Sequence, residues 1–235
     1  MLFAYCKHRD VNVEYAFKCR SKVNIANLVD IINHELDNIC EIVLEKDELK
    51  YLIKNVDDRF DNPDFYYFNL DRSAVIVIPN YETGELDIRV RGIWWRVILY
   101  EIYILSIVNE AYTKANNSED EITQIERDGC VLLHDKIDFL NDKGKNLKIM
   151  EFGTRRRFTH DWHEYVLKEL TENTKNIIGT SNVYFAMKYD LKPMGTMAHE
   201  CFQALQGIVH PVKSQKILFY EWKDFWGKKY LYAWD

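Results

Sequence analysis

Three Gly-Thr pairs, Gly153-Thr154, Gly179-Thr180 and Gly195-Thr196, each close a short apolar run and stand before a helix-like stretch. The runs are Leu147 to Phe152, Asn176 to Ile178 and Leu191 to Met194, and the stretches behind them begin at Thr159, Ser181 and Met197. Glycine lets a ligand approach the backbone closely, and a helix N-terminus carries partial positive charge, so each turn suits an anion. The side chains differ from loop to loop. Arg155, Arg156 and Arg157 follow the first pair, and their planar forks match phosphate or carboxylate in bidentate fashion. Ser181 and Asn182 follow the second pair as neutral groups able to hydrogen-bond a ring substituent. His199 and Glu200 follow the third. A histidine in the first turn of a helix facing a phosphate can be a base, a hydrogen-bond donor or a phosphoryl acceptor, and its type alone does not choose. Singly, each feature has a plain structural reading: Gly-Thr starts helices anywhere, an arginine run is commonly a solvated surface, and a lone histidine is commonly structural. The succession of three glycine turns with different side chains is what points to an anion-binding face.

Strand, glycine turn and helix, repeated three times, is the unit of a parallel α/β sheet or barrel. Right-handed crossovers place every strand-to-helix loop at the carboxyl end of such a sheet, where active sites are built. Ahead of these units the pattern is mixed. Val11 to Cys19 alternates as a strand, Ile25 to Cys40 and Lys46 to Lys54 follow helical spacing, and Ser73 to Pro79 with Leu86 to Val90 reads as a hairpin turned at Gly84. Trp94 to Lys114 reads as one long buried helix, Asn116 to Asp120 as a polar linker, and Glu121 to Asp138 as a charged helix. These spans predict an α+β N-terminal domain over residues 1–120 and an α/β barrel portion over 121–235. His160 and His163 flank Asp161 at helical spacing without an obvious third ligand, while Trp162, Tyr165, Val166 and Leu170 define the buried stripe, so no metal site is expected there. Tyr66, Tyr67 and Phe68 read as core aromatics.

A chain of 235 residues with 47% hydrophobic content can bury one large core or two small ones, and a net charge of −6 argues against a general nucleic-acid surface. Cys6, Cys19, Cys40, Cys130 and Cys201 are an odd set without a C-x-x-C pair, which predicts free thiols in a reducing cytoplasm. The first residues do not read as a signal peptide, and the most apolar stretch, Ile93 to Val108, is interrupted by Arg96 and Glu101 and too short for a bilayer.

The strings Glu151-Phe152-Gly153-Thr154-Arg155-Arg156-Arg157-Phe158, Gly179-Thr180-Ser181-Asn182-Val183-Tyr184 and Pro193-Met194-Gly195-Thr196-Met197-Ala198-His199-Glu200 resemble, in order and spacing, the signature series of nicotinate phosphoribosyltransferase. The likeness extends upstream through Leu86 to Gly92 and Trp95 to Glu101. The resemblance implies an irregular TIM-like phosphoribosyltransferase barrel and an ATP-coupled enzyme, classed as a ligase, that joins nicotinate to 5-phosphoribosyl pyrophosphate with Mg2+ in NAD salvage. It implies that Phe152 lies against the pyridine ring, with Gly153, Thr154 and Thr180 around it, and that Arg155 holds a phosphate. Ser181 would face the nicotinate carboxylate; nicotinamide-using relatives have an acidic residue there, which would accept from an amide but repel a carboxylate. His199 would be the phosphorylated histidine, Glu200 would orient it, and Asp235 would end a fourth barrel strand over Tyr230 to Trp234. Dimerisation follows from the same resemblance, because family sites are completed across subunits. The family's opening Asp-x-Tyr segment and its later ribose-binding and glycine-rich phosphate motifs are not found in the sequence. This leaves as the alternative one half of a split enzyme, completed by a C-terminal chain, or a noncatalytic phosphate-binding remnant.

Overall fold

Three-stranded pairing organises the first part of the chain, as seen in a computed structural model that describes residues 1–227. Strands β1 (Asn12–Ala16), β2 (Val75–Asn80) and β3 (Glu85–Ile93) form an antiparallel sheet in the order β1-β3-β2. Tyr15 lies opposite Val90 and Val77 opposite Ile88. Period-two alternation puts Leu86, Ile88 and Val90 of β3 into the core. The β2–β3 turn needs Gly84, which has φ +75° and sits where a Cβ would stand 3.0 Å from the Asn24 side chain.

Helices α1 (Leu2–Lys7), α2 (Val29–Glu41), α3 (Lys46–Asn55) and α4 (Pro63–Tyr66) surround this sheet. After β3 the chain forms α5 (Trp94–Val97), α6 (Tyr100–Asn116) and the 24-residue α7 (Glu119–Asp142). The single long helix expected from Trp94 is thus two, interrupted at Ile98–Leu99. A run apolar on nearly every face carries no periodic mark of where it breaks. The expected linker at Asn116–Asp120 shrinks to Asn117 and Ser118, because Ser118 and Glu121 form a reciprocal capping box that starts α7 early.

Beyond α7 come the three expected units. Strands β4 (Ile149–Glu151), β5 (Ile177–Thr180) and β6 (Lys192–Pro193) form a parallel sheet in that order, followed in turn by α8 (His160–Asn173), α9 (Val183–Lys188) and α10 (His199–Ile208). Together with the N-terminal α+β part, these units make the mixed α/β architecture with a partial barrel that the sequence predicts. Helix α11 (Pro211–Trp226) closes the described structure. The strand expected at Tyr230 to Trp234 lies outside the described residues.

The main core joins Phe3 of α1, Ile32 and Leu36 of α2, and Ile88, Trp94 and Tyr100 with Leu205 of α10 and Leu218 of α11. A second, smaller core of Leu133, Ile137, Leu170 and Ile177 lies between α7, α8 and β5. Of the predicted α8 stripe, Leu170 is buried and Tyr165 and Val166 pack half-buried against this second core, while His163 and Leu167 are buried where Trp162 was expected. Tyr66 and Tyr67 are exposed, and of the expected aromatic trio only Phe68 enters the core. Five free cysteines are present. No helix among the described residues is long and apolar enough to cross a membrane.

Candidate functional site

Glu151, the last residue of β4, organises the first two loops. Its carboxylate accepts from the Gly153 amide and, at 2.6 Å, from the Thr180 hydroxyl. Its carbonyl accepts from the Ser181 amide at 2.9 Å. His163 Nε2 stands 3.0 Å from the same carboxylate, out of line for a hydrogen bond, and His163 Nδ1 is buried without a partner. Burial works against the Glu151 charge, but the His163 and Thr180 contacts and the Gly153 amide outweigh it and hold this carboxyl below the usual carboxylate range. Two loops therefore hang from one ionised side chain. Asn182 reinforces the junction: its side-chain oxygen caps α9 at the Phe185 amide, and its Nδ2 reaches Thr154 Oγ1 at 3.4 Å.

The glycines differ in their tasks. Gly153 precedes a 3-10 turn over Thr154–Arg156, and a Cβ there would meet the Glu151 carboxylate at 2.6 Å. Gly179 is a residue of β5 itself, so the second turn is made by Ser181 and Asn182 and not by the Gly-Thr pair. A Cβ on Gly179 would lie 2.5 Å from the Lys192 carbonyl oxygen, so glycine is what lets β5 and β6 approach. Around Gly195 the space is open.

The arginine triplet is divided. Arg157 turns to α6 and pairs with Glu110 at 3.2 Å, while Asn109 donates to the Arg157 carbonyl at 2.6 Å. Arg155 donates from Nη1 to Glu101, also on α6, at 2.8 Å. Arg156 is exposed and has no acidic partner among the described residues. Arg155 and Arg156 join Phe152 and Thr196 in lining an open cavity of about 420 Å³, which brings the first and third loops together. Ser181 does not line it, and its hydroxyl makes no hydrogen bond among the described residues.

His199 is exposed at the first position of α10, whose N-cap, Ala198, makes no side-chain capping bond. Its neighbour Glu200 points inward and is 7% exposed. Burial pushes Glu200 up to about 9, the hydrogen-bonded Glu101 carboxyl adds to the rise, and the Met1 amino group and Arg155 partly offset it. Glu200 at neutral pH is therefore a protonated carboxyl, and Glu101 links it to Arg155. Asp235 lies outside the described residues.

Three residues at the site escape a reading by loop chemistry. Glu151 sits in the strand ahead of the glycine, His163 reads as half of an incomplete metal pair, and Glu101 interrupts an apolar stretch 54 residues upstream of Arg155. Glu101 had a signal, since a carboxylate inside a buried helix needs a partner.

Two family matches cover most of the chain. Residues 1–109 match the nicotinate phosphoribosyltransferase N-terminal domain, and residues 147–232 match the nicotinate phosphoribosyltransferase family. The nicotinate phosphoribosyltransferase of Xanthomonas euvesicatoria pv. vesicatoria is 36% identical over 231 residues, 95% of this chain and 56% of its own length. That of Burkholderia cenocepacia is 37% identical over 225 residues, 93% of this chain and 55% of its own. The crystal structure of nicotinate phosphoribosyltransferase from Vibrio cholerae superposes with a TM-score of 0.85 at 28% identity, covering 94% of this chain and 54% of that one. The chain thus spans a little over half the length of the relatives it matches.

Proposed function

Because the chain belongs to the nicotinate phosphoribosyltransferase family, we propose that its cleft serves the joining of nicotinate to 5-phosphoribosyl pyrophosphate, a step of NAD salvage. In this reading the pyridine nitrogen forms a bond to the anomeric carbon as the carbon–oxygen bond to pyrophosphate breaks, giving nicotinate mononucleotide and pyrophosphate. The observation that carries it is the cavity that combines one exposed aromatic face, Phe152, with two guanidinium groups, Arg155 and Arg156. A flat ring and phosphate oxygens are what such a lining takes.

The roles divide accordingly. Phe152 covers the ring, Arg155 and Arg156 neutralise phosphate, and the Ser181 hydroxyl donates to the ring carboxylate. Gly153 and Thr180 hold the backbone of these loops through the Glu151 clamp, and Thr154 joins them through Asn182. His199 takes a phosphoryl group from ATP at its ring nitrogen as ADP leaves, and its exposure together with the side-chain-uncapped start of α10 supports that assignment. Mg2+ would be held largely by pyrophosphate oxygens and water. No group of three His, Cys, Asp or Glu side chains among the described residues is placed to ligate it.

The share of the relatives' length that the chain spans favours a second reading, in which catalysis needs residues supplied by a further stretch of polypeptide, in the same chain or another. One assay separates the two: nicotinate mononucleotide formation by the 235-residue chain with and without ATP and magnesium. Turnover supports the complete reaction. Binding of 5-phosphoribosyl pyrophosphate without turnover supports the second reading, and neither binding nor turnover removes the phosphoribosyl assignment. His199→Asn is expected to abolish ATP-dependent labelling of the protein, and undiminished labelling would remove the phosphohistidine from the scheme.

A further inference from the structure

Helix α6 belongs to the part of the chain ahead of the barrel units, yet it contributes the residue that sets the direction of Arg155. Glu101 Oε1 stands 2.8 Å from Arg155 Nη1, and the pair is largely shielded, with side-chain exposures of 19% and 34%. The Glu101 carboxyl also faces the carboxyl of Glu200 in the first turn of α10 and favours its protonated form. We propose that Glu101 is a positioning residue: it holds the Arg155 guanidinium in the cleft and, through its shared contact with Glu200, ties that arginine to the helix that bears His199. The inference rests on Arg155 meeting a phosphate of the phosphoribosyl donor.

The physical case has three steps. A guanidinium at a cavity rim is free to swing on three methylenes, and ordering it costs affinity when ligand binds. A carboxylate bonded to one nitrogen fixes the plane of the fork, so phosphate meets an oriented group. Fixing the carboxylate in turn needs something behind it. The buried Glu200 carboxyl, kept protonated by its surroundings, supplies this by donating to Glu101. The charged and titratable groups facing this pair are Arg155, the Met1 amino group, the Cys201 thiol and the Tyr15 hydroxyl. Arg155 is the side-chain cation among them. Removing the charge at position 101 therefore loosens Arg155.

The test measures binding of 5-phosphoribosyl pyrophosphate with magnesium to the 235-residue chain by calorimetry. E101Q is expected to weaken binding about tenfold, the scale of one charge-assisted hydrogen bond, and E101D to recover part of the loss. The same E101Q change made in an R155A background is expected to add nothing, since its effect passes through that arginine. Where E101Q alters the thermal midpoint, the E101D and R155A comparisons still decide the point. An E101Q chain that binds within about twofold of wild type, or losses that simply add in the double variant, overturn the positioning role alone. A wild-type chain that does not bind the donor overturns the phosphoribosyl reading and this inference together.

Discussion

At Glu200 the sequence places an acid beside a histidine, and the fold then buries it against a second carboxyl. Its rise to about 9 has a defined sign for stability. Between the ordinary carboxylate value and pH 9 the folded chain keeps a proton here that the unfolded chain has lost. The contribution of this group is thus fully present at acid pH and is lost as pH rises toward 9. Other groups titrate in the same range, including the Met1 amino group, which burial shifts down. The clean measurement is therefore a difference: thermal midpoints of E200Q minus wild type, followed from pH 5 to 9. That difference is expected to grow in favour of E200Q as pH rises, because glutamine keeps the donor and cannot ionise. A flat difference would mean that Glu200 titrates as an exposed carboxyl does.

The strand-to-helix units show what a local pattern can and cannot specify. The succession of apolar run, glycine and helix start was legible, and the structure sets β4, β5 and β6 parallel and adjacent, each with its helix behind it. The position of the turn within each unit was less legible. Gly179 is flanked by the same residue types as a turn glycine, yet it works inside β5 because Lys192 of β6 comes so close. That requirement belongs to another strand and leaves no trace in the local sequence. The same holds for α8, where His163 faces Glu151 of β4 and is buried in place of Trp162. Arg155, whose chemistry is its own, was singled out by type, and Phe152 by the resemblance of the string around it. Glu101 and His163, whose role depends on what they face, were not. Gly179→Ala tests the close approach. A methyl group 2.5 Å from the Lys192 oxygen must push β6 away, at a cost of about 1–3 kcal/mol, measured by urea unfolding. Gly195→Ala, with open space around it, is expected to cost less than about 1 kcal/mol by the same measurement. Equal costs at the two positions would remove the explanation offered for Gly179.

On the scale of the whole molecule, sequence order and packing order part company. Helices α10 and α11 follow the barrel units in the chain, but Leu205 and Leu218 are fully buried in the core that also holds Phe3, Ile32 and Trp94. The start of α10, with His199 and Glu200, is thereby anchored to the N-terminal sheet and helices, while β4, β5 and α8 rest on the smaller core of Leu133, Ile137, Leu170 and Ile177. The cavity between Arg155 and Thr196 spans this division, with one wall on each side. Stability is expected to follow the same line. Leu218→Ala removes a fully buried side chain from the large core and should cost about 2–5 kcal/mol. By native-state hydrogen exchange its effect should reach amides of α1, α2 and β3, far away in sequence. Ile137→Ala acts on the small core, and its faster exchange should stay within α7, α8, β4 and β5, because those elements share few buried neighbours with the rest. Any motion that opens the cavity then takes place between the two cores, with Glu101–Arg155 and Glu110–Arg157 among the bonds that cross from one to the other. A Leu218→Ala chain whose exchange rose equally in α8 would show that the two cores open as one.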